Sequence, residues 1–298
     1  MKLQYINTYF KEIFYLAGIG IMTLQKNRSI QFVNLEALKI FGYNSGELED
    51  IKFNNLFHIS SQVLIETFLS DVATIHSNKQ TPVEFTGIHK DNSAFPVELN
   101  TSCITVDEDT VYTIIIRDIT ESRKNEENLK HQAYFDQLTD IPNRTLFTDR
   151  AETALNQAKR SKEGLAIIFI DLDEFKEIND SMGHDAGDII LKNISQRLIT
   201  SARKSDTVSR RGGDEFTILM PRIKNIKDAA KLAERILKSN KKAIIIDQSS
   251  VFPKTSIGIS VFPDDGDTID ILIKNADQAM YRSKKSGKNR YSFYKTDV

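Results

Sequence analysis

Residues 165–172 form an apolar run with one acid, Asp171, next to its end. A run this short and this apolar, without alternation, suits a strand buried on both faces. It predicts a central strand whose terminal carboxylate can meet a ligand while the rest stays dry. Two further strands are expected over 207–211 and 214–220, joined by Gly212-Gly213. That dipeptide suits a tight hairpin whose two central residues need φ > 0. If the hairpin lies beside the central strand, Asp171, Asp214 and Glu215 converge at one edge of the sheet. Like charges that close are costly unless something neutralises them. Hard oxygen donors of this kind suit Mg²⁺, which takes one or two carboxylates plus phosphate oxygens. The competing reading is that each acid is an ordinary exposed turn residue.

The surrounding pattern predicts helices over 145–159, 185–203, 227–239 and 269–285, and strands over 255–262 and 290–294. Ile190, Ile194 and Leu198 share one face of the second helix. Strand, helix, hairpin, helix, strand is the order of a ferredoxin-like palm. Asp173, Glu174 and Phe175 are expected to form a turn after the central strand, with backbone N–H groups able to cradle phosphates. Asn179 and Asp188 flank Gly183, His184 and Gly187. An aspartate can accept from two adjacent donors, as on a guanine edge, and an asparagine can both donate and accept. Lys284 and Lys288, read as one helical turn apart, are candidates for holding phosphates; the alternative is a solvated face.

The chain has 298 residues, which suggests about two domains. Lys+Arg (40) and Asp+Glu (41) nearly cancel, so no basic field points to nucleic acid. The single cysteine, Cys103, excludes an intrachain disulfide and is expected to be a small buried residue on a strand. Residues 3–21 are interrupted by Asn7, Lys11 and Glu12, so they do not read as a spanning helix or a secretory signal. Tyr5, Ile6, Tyr9, Phe10, Ile13 and Phe14 recur at helical spacing. An amphipathic helix over 1–13 that caps a domain or pairs with a second copy is expected, with binding to a membrane surface as the weaker alternative, in a cytoplasmic protein without a transmembrane segment.

The first region, to about Thr120, reads as an α+β domain. Strands are expected over 20–24, 29–33, 82–89, 94–106 and 110–118, and helices over 35–41 and 61–75. Leu64, Phe68 and Val72 mark a face of the longer helix. Turns fall at Lys26-Asn27-Arg28, Lys90-Asp91-Asn92 and Asp107-Glu108-Asp109. Residues 123–135 are polar and free of Gly and Pro, with Leu129 and Ala133 on one side. They suit a signalling helix between two domains better than a flexible linker.

These phrases, in order, resemble the PAS family: Val33-Asn34, Phe41-Gly42-Tyr43, the run from Lys90 to Val97, and Arg117-Asp118-Ile119-Thr120-Glu121. The resemblance covers residues 14–122 and implies a sensor domain, a five-stranded antiparallel sheet with helices. The second domain, 136–298, resembles the GGDEF family of diguanylate cyclases. The residues that carry this are Arg210-Arg211-Gly212-Gly213-Asp214-Glu215-Phe216, Asp136-Gln137-Leu138-Thr139, Pro142-Asn143-Arg144, and the run from Asp171 to Asp180. Gly183-His184, Gly187-Asp188, Ser256-Ile257-Gly258-Ile259 and the run from Ala276 to Tyr281 complete the set. That family implies a ferredoxin-like palm of nucleotidyl-cyclase type. The resemblance runs to residue 294, and no phosphodiesterase domain is expected after it.

Position by position, the resemblance implies that Asp171 and Asp214 ligate Mg²⁺ by side chain and Leu172 by its carbonyl, with Mn²⁺ as the alternative ion. Glu215 stands as general base or metal ligand. Asn179 and Asp188 would read guanine. Lys176, Lys284 and Lys288, with the backbone of Asp173, Glu174 and Phe175, would hold the triphosphate. Each domain would bind one GTP, and two facing domains would yield cyclic di-GMP and pyrophosphate, so a homodimer is implied. Arg203-Lys204-Ser205-Asp206 resembles the family's RxxD inhibitory product site, here Arg203 and Asp206; the alternative is an exposed salt bridge. Arg211, Asp140 and Lys288 depart from common family residues without removing a catalytic group. The competing functions are a silent receptor for GTP or cyclic di-GMP, which Asp171, Asp214 and Glu215 argue against, and a mixed purine dinucleotide product, which Asp188 argues against. No PAS ligand is specified. Haem is disfavoured because 61–75 lacks histidine, with His58 and His76 read as surface residues. A flavin–cysteine adduct is disfavoured because Cys103 lies on a strand.

Overall fold

The computed structural model describes residues 13–14, 17–48, 51–75, 81–106, 109–247 and 249–295. The expected helix over 1–13, the acids Asp107 and Glu108, and His76 therefore lie wholly or largely outside the described residues. The chain divides into two compact units, Met1–Glu127 and Asn128–Val298. No described helix is long and apolar enough to cross a membrane.

In the first unit, strands β1 (Gly20–Leu24), β2 (Ile30–Val33), β3 (Val83–Ile88), β4 (Ala94–Val106) and β5 (Asp109–Asp118) form one sheet in the order β2-β1-β5-β4-β3. Every neighbouring pair is antiparallel. Helices α1 (Leu35–Phe41) and α2 (Ile59–Ile75) and a short 3-10 turn (Phe53–Leu56) lie between β2 and β3 in the chain. Asn34 explains how β2 turns into α1. Its buried Oδ1 accepts from the Ala37 and Ile21 amides, and its Nδ2 donates to the Phe14 and Ile19 carbonyls. One side chain thus caps the helix and satisfies the chain that precedes β1. Phe41, Phe57, Phe85 and Phe95 meet edge to face through the core. The face of α2 differs from the expected one. Ser61, Ile65 and Leu69 are buried, whereas Leu64 is 61% exposed and Phe68 is half-buried. An i, i+4 spacing holds on any helix face, so it did not choose between adjacent ones. Cys103 lies on β4 as expected but is only half-buried.

Helix α3 (Thr120–Tyr134) crosses the division between the units and buries none of its residues. The second unit continues with α4 (Arg144–Ser161), β6 (Gly164–Asp173), α5 (Phe175–Met182), α6 (His184–Ser201), β7 (Thr207–Gly212) and β8 (Glu215–Ile223). After these come α7 (Ile226–Asn240), β9 (Ile244–Ile246), β10 (Ser249–Val251), β11 (Lys254–Phe262), α8 (Ile269–Lys285) and β12 (Tyr291–Phe293). The sheet order is β12-β11-β6-β8-β7, with β6 antiparallel to both neighbours. From Leu165 onward β6 is buried at every position.

Alternate residues of β6 feed two cores, which is why its sequence shows no alternation. Ala166, Ile168 and Ile170 join Ile190, Ile194 and Leu198 of α6. Leu165, Ile167 and Phe169 join Phe147 of α4 and Leu272 of α8. Asp171 continues the second set. At Gly258 of β11 a Cβ would lie 1.9 Å from the Ala276 carbonyl oxygen, so only glycine lets α8 approach this strand so closely.

Candidate active site

The strand pairing builds the site. Asp171 of β6 stands directly opposite Glu215 of β8. The Leu172 amide donates to the Asp214 carbonyl oxygen at 3.3 Å, so the pairing continues into the hairpin turn. The three carboxylates expected at one sheet edge are therefore together.

The turn itself sits one residue later than expected. Gly212 pairs with Glu215, so Gly213 and Asp214 are the central residues, and the register slips between Arg210 and Gly212. Gly212 has φ 141° and Gly213 φ 54°, both glycine-favouring values. The first glycine thus serves the irregular strand end and the second serves the turn.

Asp171 is 5% exposed. Its carboxyl is pushed up to about 6, mainly by burial, with Asp214 and Glu215 adding repulsion and Lys284 opposing the rise. Lys284 Nζ lies 2.6 Å from Asp171 Oδ1. The ammonium thus pairs with that buried oxygen and offsets part of the local negative charge. Glu215 is also raised, by burial first and then by Asp277, while Arg211 and Lys284 pull it down. Buried carboxylates crowded at one edge, with one ammonium among them, suit a hard divalent cation. Asp171, Asp214 and the Leu172 carbonyl are the residues that would hold it.

The turn after β6 tightens at once into α5, a helix that the sequence reading did not anticipate. Its N-terminal residue follows Glu174, which has φ 63° and gives no side-chain cap. The first amides of α5 are thus left for a ligand or water. The Asp173 side chain is not available to a nucleotide. It is 5% exposed, accepting from Ser256 Oγ at 2.7 Å and the Asn289 amide at 3.0 Å. Phe175 is half-buried against the core, and Lys176 is exposed.

Lys284 and Lys288 do not share a helix turn. Helix α8 ends at Lys285, and Lys288 sits in the following loop with φ 60°. Lys288 Nζ pairs with Glu174 Oε1 at 2.9 Å. The expected periodicity failed because the chain leaves the helix before Gly287, which has φ 110°.

Asn179 on α5 lies against Gly187 on α6, where a Cβ would fall 2.0 Å from Asn179 Oδ1. That oxygen is buried and unpartnered. Asp188 is adjacent to Gly187 and exposed. The structure thus brings the two proposed base-reading residues to neighbouring positions.

Arg203 and Asp206 form a closed turn between α6 and β7. Asp206 Oδ2 accepts from the Arg203 amide at 2.8 Å. The Arg203 guanidinium is directed elsewhere, 3.7 Å from Asp228 Oδ1.

Sequence reasoning gave no role to Arg210 and Asp136. Arg210 Nη1 contacts both Asp136 oxygens at 2.9 and 3.1 Å, and its Nε and Nη2 donate to the Gly213 carbonyl at 2.9 and 2.7 Å. Asp136 also accepts from the Thr139 amide and hydroxyl. Burial raises its carboxyl, but these donors outweigh it and hold it below the usual carboxylate range. The signal was present as a charge pair far apart in sequence, which spacing alone cannot match.

A family model described as diguanylate cyclase, GGDEF domain, matches residues 133–290, more than half of the chain. The chain belongs to the GGDEF diguanylate cyclase family. A PAS domain model matches residues 18–121. The chain is 43% identical over 171 residues to diguanylate cyclase TpbB of Pseudomonas aeruginosa, which covers 56% of this chain and 39% of TpbB. It is 32% identical over 287 residues to diguanylate cyclase DgcM of Escherichia coli O157:H7, covering 95% of this chain and 68% of DgcM. The solved GGDEF domain of TpbB, also called YfiN, superposes with a TM-score of 0.52 at 40% identity, over 53% of this chain and 99% of that one. The chain thus spans about two fifths of TpbB's own length.

Proposed function

We propose that this protein condenses two molecules of GTP into cyclic di-GMP and pyrophosphate across a homodimer of GGDEF domains, under control of its PAS domain. The observation that carries this reading is the register placing Asp171 opposite Glu215, with Asp214 at the adjoining turn.

In this reading Asp171, Asp214 and the Leu172 carbonyl hold Mg²⁺, or Mn²⁺ in its place. A bound divalent ion polarises phosphate oxygens and offsets charge on the leaving group. The remaining work falls to the chain. Asn179 and Asp188 read the guanine edge. The amides of Glu174 and Phe175, with Lys176, Lys284 and Lys288, hold the triphosphate. Lys288 must leave Glu174 to do so, and Lys284 must share its charge between Asp171 and phosphate. Glu215, whose proton affinity is raised, accepts the proton of the attacking 3′-hydroxyl or serves as a further metal ligand. The 3′-hydroxyl of one GTP attacks the α-phosphate of the other, and pyrophosphate leaves twice. Positioning and electrostatics supply most of the acceleration. Because each domain carries half of the reaction, assembly of the pair is a natural point of control. Arg203 and Asp206 bind the product and restrain further turnover. A GTP-consuming enzyme of this kind works in the cytoplasm.

The test is incubation of the purified chain with GTP and Mg²⁺, with products identified by chromatography and mass spectrometry. Cyclic di-GMP and pyrophosphate are expected, and both are lost in Asp214→Ala and Glu215→Ala. Turnover that survives both substitutions sinks the proposed site. Binding of GTP without product, even after enforced dimerisation, favours a receptor instead.

A further inference from the structure

A polar pocket borders the carboxylate edge. It has a volume of about 350 Å³ and lies between the start of α4, the end of β7 and α8. Its charged lining comprises Arg144, Arg211, Lys274, Glu215, Asp270 and Asp277. Arg211 is its unusual member. The guanidinium lies 5.7 Å from the centre of the Phe169 ring, and Nη1 is buried with no hydrogen-bond partner. Among the described residues, no ion pair joins Arg211 or Arg144 to a carboxylate, in contrast to the clamped Arg210.

A guanidinium does not give up its proton in a protein, so it must find acceptors instead. Burial and repulsion from Arg144 both act against the charge on Arg211, while Glu215, Asp277 and Asp270 act at longer range to support it. The pocket therefore holds two neighbouring forks, at least one nitrogen without an acceptor, and room for a small ligand. Planar forks take phosphate oxygens in pairs. The acids on α8 repel any anion, so binding there rests on how many oxygens the ligand offers to the two forks at once. A diphosphate can occupy both forks, and a monocarboxylate can occupy only one.

We propose that Arg211 and Arg144 form a diphosphate subsite beside Glu215, separate from Lys284 and Lys288, and that its occupant is the pyrophosphate released by the reaction. The site rests on the pocket geometry alone, and the identity of its natural occupant rests on the cyclase reading above. A pyrophosphate held there stays next to the reaction edge after turnover and slows the next cycle.

The test is calorimetric titration of the full chain with inorganic pyrophosphate in metal-free buffer, in a Lys288→Ala background that weakens the triphosphate site. Residual binding is expected in that background. Arg211→Met should weaken it by about 10-fold or more, the scale of a lost charge-assisted pair of hydrogen bonds, and Arg144→Gln should weaken it less. Arg211→Lys should retain part of the affinity, because it keeps the charge and loses the fork. Arg144 is exposed, so its variant keeps the test decisive if Arg211→Met fails to fold. No binding in the Lys288→Ala background overturns the site, as does binding indifferent to both arginine variants. The titration needs no turnover. Arginine-dependent binding by a chain that makes no cyclic di-GMP would keep the site and overturn its assignment to the reaction's pyrophosphate.

Discussion

Asp171 is built at the expense of stability, and Asp171→Asn should show it. The Asp171 carboxyl sits at about 6 against an ordinary 3.8, chiefly through burial. Because the folded value is raised, the ionised form destabilises the fold. The cost is small below about pH 4 and complete above about pH 7. Every tenfold change in proton affinity between the folded and unfolded states corresponds to about 1.4 kcal/mol. The penalty is therefore about 3 kcal/mol at pH 8, between about 1 and 2 kcal/mol at pH 5 and under about 1 kcal/mol at pH 4. Asparagine keeps the shape and removes the charge. We predict that Asp171→Asn stabilises the metal-free protein by an amount that follows this decline, and that it abolishes cyclic di-GMP synthesis. Guanidinium unfolding of both proteins at the three pH values, in the presence of a chelator, measures it. Added Mg²⁺ should reverse the order, because only the parent carries the full ligand set and gains from binding. A variant less stable than the parent at pH 8 without metal would refute the reasoning. It would mean that the contact with Lys284 outweighs the cost of burial.

Three further outcomes are expected. Arg210→Ala and Asp136→Asn should each lower stability by about 2–4 kcal/mol, since one partner of a largely buried pair is left uncompensated; a double-mutant cycle by denaturant unfolding should give a coupling above about 1 kcal/mol, and simple additivity would deny the clamp. Gly187→Ala should raise the KM for GTP well before it affects thermal stability, because the new methyl displaces Asn179 Oδ1 from 2.0 Å; an unchanged KM removes Asn179 from base recognition. Arg203→Ala should relieve inhibition by added cyclic di-GMP while leaving the initial rate intact, and unchanged inhibition refutes the product site.

Much of this architecture was legible because its causes are local. The two-sided burial of β6 is written in Leu165, Ala166, Ile167, Ile168, Phe169 and Ile170 as an unbroken apolar run, and the hairpin is written in its glycines. The legible part ended where tertiary contacts decide. Asp173 reads only as part of a phosphate-cradling turn, and the use of both its side-chain oxygens by Ser256 and Asn289, far along the chain, is visible only in the structure. Lys288 reads as helical until the chain turns out at Gly287. The slip between Arg210 and Gly212 moves the turn by one residue, a difference no pattern of glycines encodes, since glycine suits both positions. Helix α5 was missed because its N-terminal residue follows an αL glutamate rather than a usual capping residue.

The contacts around Asp136 give the end of α3 a physical route to the reacting edge. The Asn143 amide donates to the Tyr134 carbonyl at 2.9 Å, and its Nδ2 donates to the Ala133 carbonyl at 2.9 Å, so the last turn of α3 is fastened to the start of α4. Asn143 also caps α4 through the Thr145 and Leu146 amides. Asp136 follows that fastening directly and holds Arg210, which holds the Gly213 carbonyl beside Asp214. These contacts are hydrogen bonds and an ion pair of 2.7–3.1 Å, and Asp214 is one of the two central residues of the turn. A displacement of the end of α3 therefore strains the hairpin unless Asp136 or Arg210 releases it. We predict that Asn143→Ala loosens this route: cyclase activity should fall more than GTP affinity, because the carboxylate edge loses its alignment while Asn179 and Asp188 stay in place. The kcat and KM of the purified variant decide it. A loss confined to KM would show that the fastening of α3 serves binding rather than the geometry of the reacting edge.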